Sequence, residues 1–257
     1  MNRLRNVPAL ERSGRVIQTL LHSPWPLGIS ELARVLSLSK STLHGLVHTL
    51  ANLGLLEKEN ENGRNYQPST LILSLWREAL LKGNLARCAR PLLTAFSERQ
   101  ALTTLAGVFI NARVLVVEAV LAPGFSIAAY AGQWLPAWAG ALGKLLLAAL
   151  PPDRAEALAP RMAAQGPLGL EAYLAEVDQA RQSQVALDRE EYLKGVCALA
   201  AAVASGRPLE PLTAVWTVGL APSLTGARMK DLTPEVRSLA EEIGRRLAHS
   251  EENGHDT

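Results

Sequence analysis

Cysteine is scarce in this chain. Cys88 and Cys197 are its only two, too few for a disulfide framework, and they read as free thiols in a reducing, cytoplasmic compartment. Long apolar runs are absent too. No stretch of about 18 uncharged apolar residues occurs, which excludes a transmembrane helix, and no membrane partner is expected. The first fifteen residues hold four arginines and no apolar core, which excludes a secretory signal. Aromatic residues make up only 5%, so the cores must be built from Leu, Ala and Val. Repeats, low-complexity tracts and long charge runs are missing as well.

What is present is a globular composition, 48% hydrophobic and 19% charged over 257 residues. The net charge of +2 is unevenly spread. Residues 1–83 carry ten Lys/Arg against six Asp/Glu, and the remainder sixteen against eighteen. A basic first part beside a near-neutral larger part points to a polyanion as partner of the first alone. The excess is small, so one copy would hold DNA poorly.

Residues 11–22 read as a helix closed by Pro24 and Pro26. Ser30 is placed to cap a second helix over 31–36. After a turn at Ser37-Leu38, Ser39 is placed to cap a third, running to about Leu53 and ended by Gly54. Leu43, Leu46, Val47, Leu50 and Leu53 form its inward stripe. Lys40, Ser41, His44, Gly45 and His48 fall outside that stripe. Leu55–Glu57 and Arg64–Gln67 are strands around the turn residues 59–63. Helix, helix, tight turn, helix and hairpin make a winged helix-turn-helix, with Arg64 beside the wing tip. A small helical domain with a merely solvated face is the alternative.

Residues 69–82 form an apolar helix, with Leu71, Ile72, Leu75, Trp76, Leu80 and Leu81, too greasy for a free linker. It reads as a connecting helix that forms a dimer or packs on the second domain. Beyond Gly83-Asn84 helices and strands mix. Helices are expected at 86–100, 137–150, around 153–164, at 170–183, and from a Thr233 cap with Pro234 in the first turn to about His249. Strands are expected at 103–110, 114–120, 125–131, 185–188, 197–204 and 212–220. This is an α+β domain with a largely antiparallel sheet. The expected divisions are 1–68, 69–83, 84–250 and a disordered tail, 251–257.

Several segments now show a resemblance. Ile29-Ser30-Glu31-Leu32-Ala33, Leu38 to His44, Leu135 to Lys144 ending in Gly-Lys, and Asp188-Arg189-Glu190-Glu191 followed by Gly195 and Leu199-Ala200-Ala201 occur in order. With them the chain resembles the IclR family of bacterial regulators over roughly residues 9–248. The resemblance implies a winged helix-turn-helix, a linker helix and a GAF-like effector-binding domain. It implies a homodimer or dimer of dimers on a double-stranded DNA operator, and repression or activation controlled by a small-molecule effector, often a carboxylate or aromatic metabolite. DNA contacts are expected from Ser39, Lys40, Ser41, Thr42, His44, Gly45, His48 and Arg64. Effector contacts are expected from Ile127, Ala129, Leu135, Ala141, Leu142, Asp188, Ala198, Trp216 and Val218, between the sheet and the helix opening at Ala137. Free amides at that helix start would meet an anionic or carbonyl oxygen. The rival is a DNA-binding regulator with no effector, its second domain used only for oligomerisation.

Three departures from the family pattern stand out. His-Arg is His44-Gly45 here, losing a cation and about 1 kcal/mol of helix propensity. The family cysteine is Ala198, with Cys197 one place earlier and so on the other strand face. Pocket-facing serines of some members correspond to Trp216 and Val218, which favours a larger or more apolar ligand.

Enzyme chemistry finds little support. Leu145 follows Gly143-Lys144 where a phosphate loop needs Ser or Thr. His44 and His48 lack a catalytic Glu between them and a third ligand, so no metal is expected. No Gly-x-Ser-x-Gly elbow occurs. Cys197 has no nearby histidine in sequence. Asp188 is expected toward the pocket, with Glu190 and Glu191 outward. No cofactor is expected.

Overall fold

The computed structural model describes residues 7–23, 25–60, 63–81, 83–110, 113–122, 130–204 and 212–252. The expectations placed on Pro24, on the wing residues 61–62, on the strand at 125–131 with Ile127 and Ala129, and on the tail beyond 252 lie outside the described residues, in the strand's case all but 130–131.

The N-terminal unit holds α1 (Pro8–His22), β1 (Leu27–Gly28), α2 (Ile29–Leu36), α3 (Lys40–Asn52), β2 (Leu56–Lys58) and β3 (Asn65–Pro68). Val16, Leu20, Leu32, Leu36, Leu43, Val47 and Leu50 pack into one core. The three strands form an antiparallel sheet in the order β1-β3-β2. Ser39 caps α3 as its spacing implies: its Oγ accepts from the amide of Thr42 at 3.1 Å. Ser30 does not cap α2. The N-cap is Gly28, and Ser30 already lies within the helix. Leu53 does not face inward either. It sits just past the last turn of α3 and is 63% exposed.

Helix α4 (Thr70–Leu81) follows, tied to the wing where Ser69 Oγ donates to the carbonyl of Gly54 at 2.6 Å. Its Leu73 packs against the core of the second unit, while Leu71 and Leu75 are exposed.

The second unit runs α5 (Asn84–Gln100), β4 (Thr103–Ile110), β5 (Arg113–Val120), β6 (Trp134–Pro136), α6 (Gly140–Ala149), α7 (Pro152–Ala163), α8 (Leu170–Ser183), β7 (Val185–Arg189), β8 (Val196–Val203), β9 (Thr213–Leu220) and α9 (Gly226–Glu252). Its six strands are ordered β6-β5-β4-β9-β8-β7, every neighbouring pair antiparallel. Alternation along each strand splits the core in two. Leu199, Ala201 and Val203 face α5 and α9, whereas Ala198, Ala200 and Ala202 face α6.

Three helix starts differ from expectation by three residues or more, α1 opening at Pro8 rather than at residue 11. Helix α6 opens at Gly140 rather than Ala137, because 134–136 pair as an edge strand with β5. Helix α9 opens at Gly226 and runs through Pro234. Thr233 Oγ1 donates to the carbonyl of Met229 at 2.9 Å, a bond made inside a helix rather than at its cap. The helix also continues through Glu251 and Glu252, where the tail was expected to begin.

Candidate DNA-binding face and ligand cavity

Helix α3 turns Lys40, Ser41, His44, Gly45 and His48 to solvent, and Ser39 is exposed just ahead of it. Thr42 is half-buried, its hydroxyl 2.8 Å from Ser39 Oγ. The rings of His44 and His48 stack with centroids 6.3 Å apart, and His48 Nδ1 lies 3.2 Å from Asn52 Nδ2. Thr49, not among the expected residues, shares this face, with its hydroxyl bonded to the carbonyl of Gly45. A Cβ at Gly45 would meet nothing within 4 Å, so this spot of the face is bare. Arg64 is exposed beside β3. A helix face of hydroxyls, one cation and imidazoles, flanked by a wing cation, suits phosphate oxygens and base edges in a major groove.

The second unit holds an open-mouthed pocket of about 140 Å³ between the sheet and the start of α6. Leu135, Ala141, Leu142, Asp188, Ala198, Trp216 and Val218 all line it, the whole described part of the expected effector set. Gln133, Tyr192 and Leu105 complete much of the wall, and sequence reasoning missed them. Tyr192 and Gln133 sit in loops without periodicity to betray a facing. Trp216 is 3% exposed and packs tightly across the sheet, since a Cβ on Gly107 would come within 3.0 Å of its ring.

Asp188 is the one buried carboxylate in that wall. Its Oδ1 accepts from the amide of Glu191 at 2.7 Å. Burial, with help from the nearby Glu191 charge, pushes its pKa up to about 6, against the opposing pull of that hydrogen bond and of Lys144. The carboxyl packs directly on Gly140, where a Cβ would overlap it. The first turn of α6, where free amides were expected to meet a ligand oxygen, also faces this carboxylate of the protein itself.

The chain matches two family models. Residues 9–60 match the IclR helix-turn-helix domain, and residues 77–245 match the C-terminal domain of bacterial IclR transcriptional regulators. The chain belongs to the IclR family. It is 30% identical over 249 residues to the glycerol operon regulatory protein of Streptomyces coelicolor, covering 95% of this chain and 97% of that one. The IclR structure from Thermotoga maritima matches with TM-score 0.58 and 18% identity, over 95% of this chain and 100% of that one. An IclR homologue from Microbacterium hydrocarbonoxydans, complexed with 4-hydroxybenzoate, matches with TM-score 0.53 and 24% identity, over 93% and 98%. The protein is thus a DNA-binding transcription regulator of α+β fold, and its relatives are regulators, not enzymes. Among the described residues no helix is long and apolar enough to cross a membrane.

Against the IclR pattern, Ala198 faces the cavity and Cys197 packs on the opposite side of the sheet. Burial pushes the Cys197 thiol up, away from reactivity. The Gly143-Lys144 pair also finds its explanation. Lys144 is fully buried, and its Nζ donates to Glu176 Oε2 at 2.5 Å and to both oxygens of Glu191 at 2.8 and 2.9 Å. Arg189 adds a bond to Glu176 Oε1 at 2.9 Å. Glu191 therefore points inward, contrary to expectation, because a buried ammonium requires a counter-charge. Glu190 is turned instead to the loop, where it accepts from the amide of Gly195.

Proposed function

We propose that this chain is a ligand-responsive repressor of a small catabolic operon, acting in the cytoplasm as a homodimer or dimer of dimers on a palindromic operator. The observation that carries the reading is a largely apolar pocket with one buried carboxylate, on the same chain as a helix-turn-helix. Leu71 and Leu75, exposed on α4, supply apolar surface for a dimer, and one weakly basic module calls for a second. DNA contact falls to Ser39, Lys40, Ser41, Thr42, His44, Gly45, His48 and Arg64. Replacing Lys40 or Arg64 by Ala is expected to weaken operator binding and to flatten its salt dependence by about one in the log–log slope per lost phosphate contact. Unchanged slopes in both variants would remove these residues from the DNA face.

The effector follows from the cavity. A dry cavity of about 150 Å³ holds one benzene ring. The space here, about 140 Å³, is of that order, so the larger ligand expected from Trp216 and Val218 gives way to a small, largely apolar one. Asp188 excludes a carboxylate and asks for a hydrogen-bond donor, so the effector is a neutral, hydroxyl-bearing molecule of about one ring.

Phenol serves as the probe, with benzoate as its anionic counterpart. Saturation with phenol at about 100 times its dissociation constant is expected to add about 2.7 kcal/mol of stability, and benzoate to add none. Binding is expected to tighten as pH rises from 5 to 7, because the donor needs Asp188 ionised and its pKa is about 6. Stability of the free protein moves the other way. A carboxyl raised by burial favours the folded state fully below its ordinary value near 3.8 and loses that contribution as pH climbs through about 6. A rise of that size is worth about 3 kcal/mol. Asp188→Asn removes both dependences. If phenol and other neutral one-ring alcohols leave the melting temperature unchanged at every pH, the second unit senses nothing of this class and serves oligomerisation.

A further inference from the structure

A larger cavity, of about 560 Å³, lies where the winged helix meets the second unit. One side is Trp25 and Pro26 from the β1 approach, with Glu59 from the wing. The other side is Trp134 to Trp138 at the sheet edge, Arg113 at the start of β5, and Arg161 with Met162 and Gln165 from the end of α7. The two units are pinned together beside it. Arg154 of α7 pairs with Glu31 of α2, and its guanidinium lies 5.5 Å over the Trp25 ring.

We propose that this cavity is a second ligand site, taking a planar organic anion of about two fused rings. Its volume lies in the range of ordinary small-molecule pockets, well above that of the inner cavity. Three tryptophans, Trp25, Trp134 and Trp138, supply flat apolar walls. Arg113 and Arg161 both line the space, and neither has an ion pair or hydrogen bond among the described residues. Two open guanidiniums beside aromatic walls suit a carboxylate or sulfonate carried on a ring system. Glu59, the one acid among the described lining residues, accepts a hydrogen bond from Asn65 at 3.2 Å. Since both units contribute walls, an occupant binds one relative arrangement of reading head and sensor and so couples to DNA affinity in both directions. The site shares Leu135 with the inner cavity but takes its arginines and tryptophans from outside it, and it does not depend on the identity of the inner ligand.

The test uses 2-naphthoate and its neutral analogue 2-naphthamide with the full chain, by titration calorimetry. The arginine and Asp188 variants separate the two sites. Naphthoate is expected to bind once per chain, and the amide about tenfold or more weaker. Arg113→Gln with Arg161→Gln, both at exposed positions, is expected to weaken naphthoate by about tenfold or more while the melting temperature holds. Asp188→Asn is expected to leave naphthoate binding unchanged. The proposal is overturned if naphthoate does not bind, if the amide binds equally, if the double arginine variant binds as wild type, or if Asp188→Asn is the change that alters naphthoate binding.

Discussion

Lys144→Met is expected to cost this protein about 3–5 kcal/mol, one of the largest losses open to a single substitution in it. The methionine matches the lysine stem in length and apolar character, so packing alone would change little. What is lost is, among the described residues, the only cation that touches both Glu176 and Glu191, whose side chains are 23% and 8% exposed. Breaking the pair leaves Glu191 without its counter-charge and Glu176 with Arg189 alone, and stranding a buried carboxylate costs more than the pair contributed. For a chain of this size the loss corresponds to a fall of about 10 °C in melting temperature. Adding Glu176→Gln and Glu191→Gln is expected to return most of it, since neutral amides need no counter-charge. Because Lys144 holds the Asp188 pKa down, its removal moves the midpoint of phenol binding above pH 6. Urea unfolding of the three proteins checks this. A loss under about 1 kcal/mol, or no recovery with glutamine, would mean that Lys144 is not neutralising these carboxylates.

The elements that the sequence revealed well are those that local chemistry decides. Ser39 bonds an amide three residues on, so the cap of α3 is written within four positions. The long strands β4, β8 and β9 are apolar runs at the centre of the sheet, and their limits fell within one residue. What escaped depends on distant partners. Strands β1 and β6 are two and three residues long and exist only because β3 and β5 present open edges. Helix α9 continues across Pro234 although a proline inside a helix costs a hydrogen bond; Leu232 and Val236 on either side are buried, and that burial offsets the defect. The effector wall was legible where strand alternation fixed a side, as with Ala198 against Cys197. The inward turn of Glu191 was not, because its partner lies 47 residues away. The seam with its three tryptophans involves no local pattern at all.

Gly140→Ala is expected to destabilise the second unit by about 4 kcal/mol, from two causes that can be separated. The first is backbone conformation. Gly140 has φ +41, in the region that side chains avoid, and forcing alanine there costs about 1–2 kcal/mol. The second is space, since a Cβ would overlap the Cγ and Oδ2 of Asp188. Neither group can step aside: Gly140 opens α6, and Asp188 is paired in the sheet opposite Ala198 and held by the amide of Glu191. Asp188→Gly removes the obstruction and leaves the backbone cost. In that background Gly140→Ala is therefore expected to cost only about 1–2 kcal/mol, and the double-mutant cycle to show a coupling of about 2 kcal/mol. Equal costs in the two backgrounds would place the whole effect in the backbone and dissolve the close approach as a cause. If the coupling is found, the absence of a side chain at 140 is what lets Asp188 reach the start of α6. That reach puts a carboxylate, rather than a row of amides, in front of whatever enters the inner cavity.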